Sequence, residues 1–142
     1  MNQLVILVKY NGEAGAPEGA PPRFTVRGQS EDVILLEGDR SMLPEKVTYE
    51  SQVTMPGEET FQEDATIPLG DKGARLTVSA VSEGTLGASA ENGVMQGSVI
   101  WQVERGDGRF IGASGLVTAC FTAEIESGKA KEYQVLSLFL PS

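Results

Sequence analysis

From residue 46 to residue 140 the chain alternates apolar and polar side chains at a spacing of two. No window of about 11 residues or more carries the 3.6-residue apolar period of an amphipathic helix. Successive side chains on a strand point to opposite faces, so this pattern predicts half-buried strands. Val47, Tyr49, Ser51, Val53 and Met55 share one face, with Thr48, Glu50, Gln52 and Thr54 on the other. Phe61, Glu63, Ala65, Ile67 and Leu69 form the next such face, followed by Leu76, Val78 and Ala80, which Gly84 and Leu86 extend. Met95, Gly97, Val99, Trp101 and Val103 come next, then Val117, Ala119, Phe121, Ala123 and Ile125, and finally Leu136, Leu138 and Leu140. Turn signals separate these runs at Pro56-Gly57, residues 70–73, Asn92-Gly93 and residues 127–129.

Residues 3–10 are rich in Leu, Val and Ile and read as a buried strand. Residues 10–22 hold Gly and Pro in quick succession and read as a loop, either an ordinary surface connection or a lid beside a cavity. Residues 23–27 and 32–37 read as two short strands parted by a turn at residues 28–30. The sum is an all-β chain of eight or nine strands, residues 1–142 forming a single domain, either a sandwich or an up-and-down barrel. Closure into a barrel removes the open edges that invite aggregation.

Charge and composition exclude several classes of function. The formal net charge is −9, and no basic cluster offsets it, which argues against nucleic-acid and anionic-membrane partners. The sequence has no histidine, which removes a Ser-His-Asp triad, a Cys-His pair and a His-rich metal site. The acidic group Glu58, Glu59, Glu63 and Asp64 lacks the spacing of a calcium loop, so no metal and no cofactor is expected. The single cysteine, Cys120, excludes an internal disulfide, and the apolar run near the start, residues 4–8, is too short for a signal peptide. These features predict a cytoplasmic protein.

Residues 106–117 read Gly-Asp-Gly-Arg-Phe-Ile-Gly-Ala-Ser-Gly-Leu-Val. A dinucleotide fingerprint would have its third glycine earlier and open a helix, whereas a β-rich run follows here. With the preceding Gly-Ser-Val-Ile-Trp-Gln-Val and the following Thr-Ala-Cys-Phe-Thr-Ala, the stretch resembles the signature of the allene oxide cyclase barrel-like superfamily. Phe-Gln-Glu-Asp-Ala-Thr-Ile at residues 61–67 also resembles a strand of bacterial spirotetronate cyclases, which share that barrel. The resemblance implies a calycin-like, eight-stranded antiparallel up-and-down barrel with a mostly apolar lumen, assembled as a homodimer or homotrimer. It covers the last 80 or so residues; the first 45 show no match. Plant members carry catalytic Glu and Asn on the first strand, and residues 4–9 contain neither, so their fatty-acid epoxide reaction is not implied.

Within this frame Glu63 stands out, because its neighbours at spacing two, Phe61 and Ala65, place its carboxylate on the apolar face. On a lumen wall, desolvation raises its pKa and suits it to act as an acid or to polarise a carbonyl; facing outward, or paired with a cation such as Arg75, it has no such role. Tyr49 is the second catalytic candidate, a hydroxyl able to orient a ligand or simply to satisfy a core hydrogen bond. Phe61, Met95, Val99, Trp101 and Phe121 are expected to line or fill the lumen. Three functions remain: a cofactor-free cyclase or isomerase of an apolar polyketide- or lipid-derived small molecule, a non-catalytic carrier of such a molecule, or a structural oligomer with a solid interior. A cavity of about 300 Å³ or more separates the first two from the third.

Overall fold

A computed structural model describes residues 2–70 and 73–142. Its strands are β1 (Asn2–Ala14), β2 (Arg23–Glu37), β3 (Thr48–Thr54), β4 (Thr60–Pro68), β5 (Arg75–Ala80), β6 (Gly84–Ala88), β7 (Val94–Asp107), β8 (Ser114–Glu124) and β9 (Lys129–Leu140). All pairings are antiparallel, and eight strands close a ring in the order β1–β2–β3–β4–β5–β7–β8–β9, with β9 returning to β1. The ninth strand, β6, is additional to that ring. It pairs with β4 through Thr60 and Phe61 and with β7 through residues 95–98, beyond the reach of the short β5. The expected eight-stranded antiparallel barrel is therefore the fold, and among the described residues no helix is long and apolar enough to cross a membrane.

Two N-terminal expectations are corrected. β1 does not stop at Tyr10 but continues to Ala14, because residues 11–13 pair with β2 on one side and β9 on the other. The loop thus shrinks to residues 15–22, and Glu18 bridges Arg23 across it. Residues 28–30 are not a turn, since β2 is one 15-residue strand whose register slips beside Lys9 and Tyr10. Gly28 is there for space: a Cβ at that position would lie 2.2 Å from Cε1 of Tyr49, so only a bare backbone lets the tyrosine ring pack in the lumen. Of the turn foreseen at residues 70–73, the two central positions lie outside the described residues.

The period-two apolar faces point into the barrel, except that Ile125 lies past the end of β8 and is exposed. Leu4, Ile6, Ile67, Leu69, Leu76, Leu136 and Leu138 are fully buried and fill one end of the barrel. The glycine-rich stretch closes that end. β7 runs to Asp107, a short turn follows over Gly108–Phe110, and Phe110 is fully buried while Ile111 is 73% exposed. A Cβ on Gly106 would sit 1.9 Å from the carbonyl oxygen of Phe110, so glycine is required for the chain to fold back on itself here. Phe110 is the plug, and Ile111 stays outside.

Candidate functional site

The other end of the lumen is hollow. A cavity of about 230 Å³ is walled by Phe24, Met55, Phe61, Leu86, Met95 and Phe121, with Ala14, Gly15, Pro17 and Ile125 at its rim. The rings of Phe61 and Phe121 meet edge-on at 5.8 Å. Where the hollow meets the filled end, the lumen turns polar: Tyr10, Tyr49, Ser51, Glu63, Trp101, Glu132 and Gln134 all project from inward positions of their strands. Two of these, Glu63 and Glu132, line the cavity itself.

Glu132 is 6% exposed, and both of its oxygens are held. The Tyr49 hydroxyl donates to Oε1 at 3.1 Å and the Gln134 amide donates to Oε2 at 2.6 Å. Burial nevertheless pushes its pKa up to about 7, the two donors only partly offsetting the loss of water. Glu63, opposite Val53 in the β3–β4 ladder, is pushed up to about 8, first by burial and then by the charge of Glu132. Ser51 and Trp101 draw it back down from close by. Neither closes a hydrogen bond of ordinary geometry: the Ser51 hydroxyl and the Trp101 indole N–H are buried without a partner, as is the Tyr10 hydroxyl. Tyr49 itself is driven well above the usual phenol range by burial and by Glu132, so it stays a donor. It packs edge-on against Tyr10 at 4.7 Å. The two carboxyls titrate as a pair near neutrality rather than as independent acids.

The candidates from sequence divide into three groups. Glu63, Phe61, Met95 and Phe121 line the cavity. Trp101 and Val99 are buried core side chains that are not among its lining, although Trp101 stands beside Glu63. Tyr49 does not reach the cavity wall either and touches it through Glu132. Arg75 does not pair with Glu63, because its guanidinium points outward to Asp107 at 3.2 Å. Sequence reasoning missed Glu132, although the signal was present: stepping back by two from Leu136 gives Gln134 and then Glu132 on the same inward face. Tyr10, two beyond Val8, was legible in the same way.

Among the described residues no group of three or more His, Cys, Asp or Glu side chains could hold a metal ion. A larger depression of about 780 Å³ lies over Asn11, Gln29, Glu91, Thr122 and Lys131, but its lining is mostly exposed and includes neither Glu63 nor Glu132. Comparison with known proteins gives no match, whether to a family model, a curated protein or a solved structure.

Proposed function

We propose that the chain is a cofactor-independent cyclase or isomerase acting on an apolar polyketide- or lipid-derived small molecule held in the upper lumen. The observation that carries this reading is a pair of carboxyls at the floor of an apolar cavity with pKa values of about 8 and about 7. At neutral pH such a pair supplies an acid and a base together, the condition for moving a proton from one substrate atom to another. Glu63, which no hydrogen bond of ordinary geometry holds as a carboxylate, donates or polarises a carbonyl, and Glu132, held by Tyr49 and Gln134, accepts. Tyr49 and Gln134 are positioning residues that fix the Glu132 carboxylate. The aromatic walls hold the substrate in one conformer, which removes entropy from the barrier. At about 230 Å³ the cavity falls below the roughly 300 Å³ that would set a structural oligomer aside, so that third reading stands beside the other two, and any substrate is small or projects from the mouth. The acidic charge and lone cysteine favour the cytoplasm, and the exposed Ile34, Leu36, Leu116 and Phe139 on the outer faces of β2, β8 and β9 suit a homodimer or homotrimer.

A test that needs no natural substrate uses 5-nitrobenzisoxazole, a small apolar ring system that isomerises when a base removes its C3 proton. The electron pair of that C–H bond forms the nitrile as the N–O bond breaks, and the product is a coloured cyanophenolate. Base catalysis in the cavity is expected to rise with pH through about 7 to 8 and to fall sharply in Glu132→Gln, whereas a surface carboxylate would give a midpoint near about 4.3. Binding of the compound, seen in the fluorescence of Trp101, without acceleration over buffer would leave the second reading, a non-catalytic binding barrel. That reading is favoured by the hydrogen bonds that already occupy both oxygens of Glu132.

A further inference from the structure

We infer that the ligand of the upper cavity carries a basic nitrogen, bound as an ammonium ion against Glu63 and Glu132 with its apolar body among Phe61, Phe121, Met55 and Met95. The inference rests on the reading of the cavity as a binding site, in its non-catalytic form: a bound ammonium ion ionises both acids, so Glu63 is then a counter-ion and not a proton donor. Three acids line the cavity, Glu63 and Glu132 at its floor and Glu124 near its mouth, and no lysine or arginine does. Most polar groups packed about the two deep acids are donors placed for ionised carboxylates, and the one buried unpartnered acceptor beside them, Oε1 of Gln134, calls for a donor of its own. Tyr49 and Gln134 donate to Glu132, and the Ser51 hydroxyl and Trp101 indole N–H stand beside Glu63 with no other partner. Without a counter-charge Glu63 is protonated at neutral pH, which leaves the indole N–H facing a carboxylic acid, a poorer acceptor than a carboxylate. Buried charges persist when they are paired, and here the donors are in place while the counter-charge is not. The titratable groups nearest to Glu63 are Asp64 on its own strand, Tyr49 on β3 and Glu132 on β9, while Tyr10 on β1 adjoins Tyr49; none of them is a cation.

The counter-charge therefore comes with the ligand. A metal ion is a poor fit, because calcium takes about six to eight oxygens and most of this wall is hydrocarbon. An alkylammonium fits both halves of the chemistry, since its charge meets the carboxylates and its chain meets the aromatic and methionine side chains. A fatty acid presents the wrong sign at the floor.

Trp101 is the single tryptophan and stands beside Glu63, so its fluorescence reports on the floor of the cavity. The full chain would be titrated with n-hexylamine, 1-hexanol and hexanoate in about 0.3 M NaCl, which screens the general acidity of the surface. At about pH 8.5 hexylamine is expected to bind at least about tenfold more tightly than hexanol, and hexanoate more weakly than either. Lowering the pH to about 6 protonates both acids and should weaken hexylamine at least about tenfold, leaving hexanol within about twofold. Glu63→Gln should remove most of the amine preference, with circular dichroism showing that the variant is folded; Glu132→Gln serves if it is not, and the pH comparison on the unaltered chain needs neither. Hexylamine no tighter than hexanol at about pH 8.5, or hexanoate equal to it, overturns the ammonium assignment and leaves the cavity as a site for neutral ligands. If none of the three perturbs Trp101, the binding-site reading falls as well.

Discussion

At the end of the barrel marked by Leu4 and Leu138, inward side chains from the ring strands meet across the lumen and Phe110 seals them from below. At the end marked by Ala14 and Phe24, residues with the same alternation face one another across about 230 Å³ of empty space. Both ends follow the same alternation, so periodicity does not explain the difference. Its source is what the chain adds at each end. The glycine-rich turn carries an aromatic plug into one, whereas residues 15–22 and β6 form a rim around the other without filling it. Between them lies the belt of acids, tyrosines and unpartnered donors. Packing provides stability at one end, and at the other its absence leaves a cavity.

Truncation tests this contrast most strongly. Phe110→Ala should lose about 3–5 kcal/mol of stability, because it opens a void among side chains that cannot collapse into it. Phe121→Ala, which only enlarges an existing cavity, should lose less than half as much. Urea unfolding of the two variants decides the matter, and equal losses would mean that the upper end is packed as firmly as the lower.

The next effect concerns the belt. Glu63 has a pKa of about 8 in the folded chain against an ordinary 4.5. Between those values the native state holds more protons than the unfolded one, so stability should fall as pH rises through this window and level off above it. Glu132 adds to the decline up to about 7. Glu63→Gln removes the larger part of the slope and should therefore raise the melting temperature by several degrees at about pH 8.5 while giving little or no gain at about pH 5. A melting temperature of the unaltered protein that climbs between those pH values would contradict the buried, poorly paired state of these acids.

Smaller again is Tyr49→Phe, which deletes one of the two donors to Glu132. A loss of about 1–3 kcal/mol is expected, larger at about pH 8 than at about pH 6, because the missing hydrogen bond serves the ionised carboxylate. Urea unfolding at the two pH values checks it. A loss independent of pH would make Tyr49 a packing residue and nothing more.

Most of the barrel was legible because alternation is a local property, read two residues at a time. The N-terminal third was harder. Asn11 and Gly12 are poor strand formers, yet they extend β1 because partners on both sides take up their backbone groups. Gly28 looked like a turn, but its lack of a side chain is set by Tyr49, which lies 21 positions later in the sequence and across a ladder. Glu63 was found from its apolar neighbours, whereas Glu132 lies three residues into β9, before the apolar run of that strand, where a charged residue is easily read as a boundary. Its partners Tyr49 and Gln134, one on another strand and one on its own, become visible only once the ring is closed.

The sealed end has a consequence for traffic. On the reading proposed above, a molecule enters and leaves by the same route, so substrate and product would take turns at the open end lined by Pro17 and Ile125. Whatever enters goes in one end first, and the end that leads is the one that meets Glu63 and Glu132. Phe110, which is not part of the cavity wall, would thereby set both the order of events and the direction in which a bound molecule faces.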